Sequence, residues 1–236
     1  MGKVIASEFV KIKRKMIVFL VFLGPFGVVS LELVNFWLRY DWLTNLYKDN
    51  LWRGLIGEVM MLSIPSLMLG LTIVTSMIAN IEHQTNAWKQ VLALPVSKAK
   101  IFTGKLLLSG MLLFVSCMLL FGGTIILGIL LKFGTDIPFL YVIKMCFFPL
   151  FSAMPFVALQ IWLSIVCKNQ AIPLMVGIVG TAVSMFSITF PDWVPWKWPL
   201  LINEWGNPIY SVIAGLILAM VVYAGGLLDF IRRDVK

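Results

Sequence analysis

Six long runs of apolar residues divide the sequence, and each is long enough to cross the roughly 30 Å hydrocarbon core of a membrane as a helix. The runs cover residues 16–36, 55–79, 106–131, 139–166, 171–190 and 209–230. Because lipid offers backbone amides and carbonyls no hydrogen-bond partner, we expect every run to be helical. Of the 236 residues, 60% are hydrophobic and 13% are charged, against roughly 25% charged in a soluble domain. The sequence therefore excludes a soluble monomer and predicts one all-α, six-span membrane domain over residues 1–236.

Basic residues are distributed unevenly among the segments that join these runs. Counted over alternate segments, thirteen Lys and Arg residues fall on one side and five on the other. Because cytoplasmic loops carry the excess of Lys and Arg, this predicts that both termini are cytoplasmic. The formal charge of +8 lies in short segments rather than on one polar face, so we expect membrane lipids as partners and no nucleic acid.

Residues 1–15 precede the first run and alternate apolar with charged positions. Ile5, Phe9, Ile12 and Met16 recur at helical spacing, which is typical of an amphipathic helix. We expect this helix to lie in the cytoplasmic interface. The alternative is a basic flank that only fixes the orientation of the first span.

The fourth run contains Pro149 and Pro155. Proline removes an amide donor and clashes with the carbonyl one turn earlier, so we expect a kinked or broken span. Such a break either lines a cavity or is purely structural.

Seven of the nine tryptophans lie on the predicted outer side. Residues 191–208 combine several of them with four prolines, and this segment is too short and too polar to span. We expect a re-entrant or interfacial hairpin at the outer surface. Trp193, Trp196 and Trp198 are candidates for substrate contact or an outer gate, and the alternative is that they are interfacial anchors.

Three charged residues lie inside the apolar runs: Glu32, Glu58 and Lys144. Charged groups at membrane depth are costly and are therefore candidates for function. In the predicted topology all three lie in the outer leaflet. Lys144 either pairs with Glu58 or Glu32 at a polar spot facing a cavity, or extends its amine to the outer interface.

Sequence motifs of enzymes are missing. The chain has no GxxxxGK[ST], GxSxG or HExxH motif, and His83 is its only histidine, so it has no phosphate loop with which to hydrolyse ATP. Cys117, Cys146 and Cys167 lack metal-ligand spacing, and we expect neither a metal site nor a disulfide. A membrane-embedded enzyme is disfavoured, while a transporter or a non-transporting sensor or scaffold stays open.

The segment 80–105 joins the second and third runs on the predicted cytoplasmic side. Trp88, Val91 and Leu92 have i, i+3, i+4 spacing, Pro95 ends that short helix, and Ser97 begins another. Periodicity alone is equally consistent with a docking element and with an ordinary interfacial helix.

The pattern Glu82-His83, Asn86-x-Trp88-Lys89, Leu92-x-Leu94-Pro95-Val96-Ser97-Lys98 and Lys105 resembles the cytoplasmic loop of ABC-2 type transporter permeases, particularly the bacteriocin and lantibiotic immunity group. The layout of the whole chain is also similar to theirs. In that family this loop is the coupling helix, which enters a cleft of a separate ATP-binding subunit. The resemblance therefore implies that Glu82, Trp88, Lys89 and Pro95 contact the ATPase.

The same resemblance implies the rest of the assembly. We expect two permease chains, identical or sister subunits, over two ATPase chains that bind ATP and Mg, with no cofactor in this chain. The expected location is a bacterial plasma membrane. The expected activity is export of a hydrophobic or amphipathic compound, foremost an antimicrobial peptide. Alternatives are another hydrophobic drug or lipid-linked substrate, or a non-transporting sensor or scaffold.

Overall fold

The computed structural model describes residues 2–13, 15–84 and 96–232, in which helices are joined by short turns and loops and no strand occurs. This confirms the predicted all-α class. The α-helices are α1 (Gly2–Ile12), α2 (Ile17–Leu46), α3 (Leu51–Gln84), α4 (Lys98–Leu130), α5 (Phe139–Ser152), α6 (Met154–Val166), α7 (Ala171–Met185) and α8 (Ile209–Arg232). Two short 3₁₀ helices, Ser187–Thr189 and Pro195–Leu200, lie between α7 and α8.

Five helical stretches in the described chain are long and apolar enough to cross a membrane: α2, α3, α4, α5 with α6, and α8. The predicted span over 171–190 contains α7, which has 15 residues and measures about 22 Å at 1.5 Å per residue. That length is below the roughly 30 Å of hydrocarbon. The chain is therefore a multi-pass membrane protein with five helical stretches long enough to span and, in α7, one shorter apolar helix.

The long helices leave apolar side chains exposed on their outer faces, as expected for contact with lipid. Phe19, Phe22 and Phe26 of α2 are each at least half exposed. The opposite faces pack into a core shared by α2, α3, α4, α5 and α6, where Phe36, Leu71 and Val157 are buried.

Small residues allow the helices to approach closely. Gly215 of α8 lies against Ser152 of α5, where an added Cβ would be 2.6 Å from the Ser152 carbonyl oxygen. A larger residue at 215 would therefore push the two backbones apart.

A hydrogen bond between helices compensates for Pro25 of α2. The proline ring leaves the carbonyl of Val21, four residues earlier, without its helical donor. Ser116 of α4 donates its Oγ–H to this carbonyl over 2.9 Å. The carbonyl left without its helical donor is therefore satisfied from a neighbouring helix, as membrane-embedded backbone requires.

The predicted break in the fourth run is confirmed. Helix α5 ends at Ser152 and α6 begins at Met154, with Ala153 between them. Pro149 and Pro155 flank the interruption, so the missing amide donors lie on either side of the point where the helix is broken.

Candidate functional site

Helix α1 packs across the ends of α3 and α4. Its Ile12 is buried in a cluster with Ile78 of α3 and Leu108 of α4. Gly104 of α4 leaves room for Val4, whose Cγ1 would be 2.9 Å from an added Cβ. Glu8 and Lys11 of α1 are thereby turned toward α3 and α4, whereas Lys3 stays exposed.

Four charged side chains meet where the three helices converge, and we call Glu8, Lys11, Glu82 and Lys105 the charged quartet. Lys105 Nζ lies 2.7 Å from Glu82 Oε2 and 3.0 Å from Glu8 Oε2. Lys11 Nζ lies 2.8 Å from Glu82 Oε1 and also pairs with Glu8. The two carboxylates and two ammonium groups alternate around a closed ring, so their formal charges cancel.

Burial makes this ring sensitive to the loss of any member. The Lys105 side chain is 0% exposed and also donates to the Ile78 carbonyl over 3.2 Å. Burial alone lowers the pKa of Lys11, but its hydrogen bonds to Glu8 and Glu82 outweigh that effect and raise the pKa above its ordinary value. Removing one partner of a buried ion pair strands the other charge, which is far more costly than the pair itself.

Two members of the quartet, Glu82 and Lys105, lie at the two ends of the predicted coupling segment 80–105. Glu82 is two residues before the end of α3 at Gln84, and Lys105 lies in the second turn of α4, which begins at Lys98. As predicted, Ser97 begins that helix, because its Oγ accepts the backbone N–H of Lys100 at 3.4 Å. The two helices that border the segment are therefore tied to each other and to α1.

The predicted ATPase contacts are only partly within the described residues. Trp88, Lys89 and Pro95 lie outside them. Glu82 is described, and its carboxylate is buried between Lys11 and Lys105 of its own chain. Its contact with an ATPase stays a prediction, and the structure adds a second role for Glu82 within the chain.

Sequence reasoning did not select Glu8, Lys11 and Lys105 as site residues. One signal was available, because Lys105 lies between the apolar residues Phe102 and Leu106 at the start of a long apolar run. A cation in that position needs a carboxylate partner. The sequence does not identify that partner, because Glu8 lies 97 positions away from Lys105.

A second contact joins the end of α3 to the end of α6. His83 Nε2 lies 3.1 Å from the Ser164 carbonyl oxygen and 3.2 Å from that of Ile165. Gln170 Nε2 donates to the same Ser164 carbonyl over 3.0 Å. These donors meet carbonyls at the end of α6, which lack partners within the helix.

The predicted charged residues of the outer leaflet form no ion pair with one another among the described side chains. Tyr47 donates its hydroxyl to Glu58 Oε1 over 2.6 Å, and Asn35 Nδ2 donates to Glu32 Oε2 over 3.0 Å. Lys144 is exposed and takes part in none of the ion pairs found among the described side chains. The described ion pairs thus do not include the alternative in which Lys144 joins Glu58 or Glu32.

The segment 191–208, called here the tryptophan hairpin, lies at the end of α8 away from α1. Trp196 turns inward, with its ring centroid 5.4 Å from that of Phe156. Trp193 and Trp198 instead line a hollow of about 210 Å³. The three candidate tryptophans therefore belong to two different environments.

Asp192 organises the hairpin. Its carboxylate accepts the Glu204 backbone N–H over 2.7 Å and the Lys197 ammonium over 2.7 Å. Its backbone carbonyl accepts the indole N–H of Trp198 over 2.7 Å. The Glu204 amide, followed by the Lys197 ammonium, lowers the pKa of Asp192 below its ordinary value of 3.8.

The fold defines a multi-pass, all-helical membrane protein whose N-terminal helix is tied by buried ion pairs to two long helices. The family model for ABC-2 family transporter proteins matches residues 4–184, and the chain belongs to that family. Neither a curated protein nor a solved structure matches the sequence significantly. Family membership makes the chain a transmembrane transporter subunit that is not itself catalytic, and it implies an ATP-binding partner.

The matched range contains the whole charged quartet and ends before the tryptophan hairpin. The quartet thus belongs to the part of the chain that the family shares. The hairpin and α8 lie outside that part.

Proposed function

We propose that this chain is the permease subunit of an ABC exporter in a bacterial plasma membrane, with both termini cytoplasmic. Its substrate is a hydrophobic or amphipathic compound, foremost an antimicrobial peptide, and its physiological role is bacteriocin or lantibiotic immunity. The ABC-2 family membership supports the permease role. The resemblance of the segment 80–105 to the same loop of immunity permeases supports an antimicrobial peptide as the substrate.

The observation that carries the proposal is the charged quartet. Segment 85–95 is joined to α3 and α4, and Glu82 and Lys105 bind these helices to each other and to Glu8 of α1. A force applied to the segment by a partner is therefore passed to three helices at once. Such an arrangement suits a permease that is driven from its cytoplasmic side.

The energy source lies in another chain. The sequence has no phosphate loop, and no group of three or more His, Cys, Asp and Glu residues in the described part could hold a metal ion. Both observations support placing the binding of the nucleotide and its Mg²⁺ in a partner chain. We propose two partner subunits that bind both, beneath a pair of permease chains that are either identical or sister subunits.

Coupling through the segment assigns a role to each predicted contact. Trp88 would fill a cleft of the ATPase, where a buried aromatic residue contributes most to binding. Lys89 would act at the rim of that contact, where a single charge matters less. Glu82 would support the contact from within the charged quartet, in which its carboxylate is buried. Pro95 would end the inserted helix.

The test is purification of the tagged chain from membranes of the native host, together with a peptide survival assay. Recovery of a nucleotide-binding subunit, and loss of peptide resistance when the phosphate-loop Lys of that subunit is replaced, support the proposal. Recovery of the subunit without any change in peptide resistance favours another hydrophobic drug or a lipid-linked substrate. Absence of the subunit overturns the transporter assignment in favour of a sensor or scaffold.

A further inference from the structure

Aromatic side chains surround the hollow between the tryptophan hairpin and the first turns of α8. Trp193, Trp198 and Trp205 come from the hairpin, and Tyr210 comes from α8. Trp205 and Tyr210 are in contact, with ring centroids 5.3 Å apart at an angle of 60°. The hollow, at about 210 Å³, has room for a group the size of a small alkylammonium head.

The walls of the hollow are held in place by hydrogen bonds that begin at Asp192. One side of its carboxylate fixes Lys197 and the other fixes the Glu204 amide, next to Trp205. Trp198 is oriented by its indole N–H on the Asp192 carbonyl. On the α8 side, Asn203 Nδ2 donates to Ser211 Oγ over 3.3 Å. The aromatic arrangement is therefore built by the fold before any ligand arrives.

The aromatic faces are nevertheless available to a ligand. Trp193 is 77% exposed and Trp205 is 70% exposed, whereas Trp196 is packed on Phe156. The faces of aromatic rings are electron-rich and attract cations, including Lys ammonium and quaternary ammonium groups. An apolar ligand without charge would gain only the burial of its surface.

The charge of the hairpin points to the same class of ligand. Across residues 191–208, Asp192 and Glu204 oppose the single cation Lys197, which leaves a net charge of −1 in a chain whose total is +8. Asp192 and Lys197 pair with each other, so Glu204 supplies the residual negative charge of the segment, and complementary charge favours a cationic partner over an anionic one there.

We propose that this hollow binds an alkylammonium group carried by the exported compound, such as the lysine ammonium of an amphipathic peptide. The inference rests on the proposed export function and adds the chemical feature that the hairpin recognises. Trp193, Trp198, Trp205 and Tyr210 supply the aromatic faces, and Asp192 holds Trp198 and the backbone beside Trp205 in position. Trp196 has a packing role and does not contact the ligand.

Choline and its uncharged isostere 3,3-dimethylbutan-1-ol are the first test. They are titrated by ligand-observed NMR against the full chain, with any co-purifying ATP-binding subunit, in phosphatidylglycerol nanodiscs. Choline is expected to bind about threefold to tenfold more tightly than the isostere, which is the range of one or two cation–π contacts. Equal binding of the two compounds would overturn the inference, because the hollow would then be merely apolar.

Variants locate the effect in the hollow. Trp205→Leu keeps an apolar side chain but removes the aromatic face, so it should abolish the preference for choline, while Trp205→Phe should retain part of it. Trp37→Leu is the matched control, because Trp37 is 79% exposed on α2 and lies outside the hollow. An equal loss in Trp37→Leu would contradict the assignment.

Two further measurements, peptide competition and a change of lipid, identify the source of the ammonium. A lysine-containing amphipathic peptide should compete with choline, and the same peptide with acetylated lysines should not. If the wild-type preference for choline disappears in phosphatidylcholine nanodiscs and the peptide fails to compete, the hollow binds a lipid headgroup and the exported-peptide assignment is wrong. Because these are binding measurements, an absent preference for choline alongside intact peptide resistance rejects this inference and leaves the proposed function standing.

Discussion

The ammonium of Lys105 in α4 lies 2.7 Å from the carboxylate of Glu82 in α3, and both side chains are almost completely removed from solvent. The two residues stand on either side of the segment that the proposed function assigns to ATPase binding. The distance between the ends of this segment is therefore controlled by a buried ion pair.

Lys105→Met should reduce the free energy of unfolding by about 3–5 kcal/mol, because Glu8 and Glu82 would share only Lys11. Thermal unfolding of the purified chain measures the change. Lys100→Met is the matched control, since Lys100 is exposed on the same helix and should have little effect. In the double variant Glu82→Leu/Lys105→Met, the loss should be smaller than the sum of the single losses. Strict additivity would contradict the ion-pair interpretation.

Trp88→Ala should lose most of its association with the ATP-binding subunit, because truncating a buried aromatic residue at an interface costs about 2 kcal/mol or more. Lys89→Ala should keep much of that association. Co-purification at matched permease levels distinguishes them. Full retention by Trp88→Ala would mean that the segment is an ordinary interfacial helix.

The predicted orientation can be tested by thiol labelling in whole cells. In a background without Cys117, Cys146 and Cys167, a cysteine at Glu204 should react with a reagent that does not cross membranes. A cysteine at Lys236 should react only after permeabilisation. Labelling of position 236 in intact cells would contradict a cytoplasmic C-terminus.

Acidification should disorder the tryptophan hairpin only below the ordinary pKa of an aspartate, 3.8. The folded pKa of Asp192 is lowered, so its stabilising effect is complete above 3.8 and disappears as the pH falls through the folded pKa. Tryptophan fluorescence of the chain in nanodiscs should report this transition. Asp192→Asn should remove it, and a transition that persists in this variant would assign the effect to another group.

Gly215→Ala should be destabilising by about 1–3 kcal/mol, because the added Cβ meets the backbone of Ser152, which cannot move aside as a side chain can. Gly225→Ala is the control on the same helix, where nothing lies within 4 Å of an added Cβ. Thermal unfolding of the two variants in the same detergent checks the difference. Equal stability would show that α5 and α8 pack less closely than described.

Local features of the fold could be predicted from the sequence because they depend on neighbouring residues. Pro149 and Pro155 remove donors from their own helix, and the break at Ala153 follows. Ser97 begins α4 by binding an amide three residues later. The length of α7 could not be predicted from hydropathy. After this helix has ended, Ser187 donates to the carbonyl of Trp196, and hydropathy contains no information about such a contact.

The sites depend on contacts between distant residues, which periodicity does not contain. Trp196 and Trp198 are two positions apart and have the same chemistry, yet one packs on Phe156 and the other lines the hollow. The sequence shows that all four members of the charged quartet are charged, but it does not show that they pair. Their union required three helices to converge, and no local pattern encodes that arrangement.

The quartet also fixes an order of events during synthesis of the chain. Glu8 leaves the ribosome 97 residues before Lys105, its partner in α4. Until that third long helix has entered the membrane, the carboxylate of Glu8 has no Lys105 to neutralise it. The N-terminal helix therefore completes its docking after helices that follow it in the sequence, and a nascent chain that stops before residue 105 cannot close the ring.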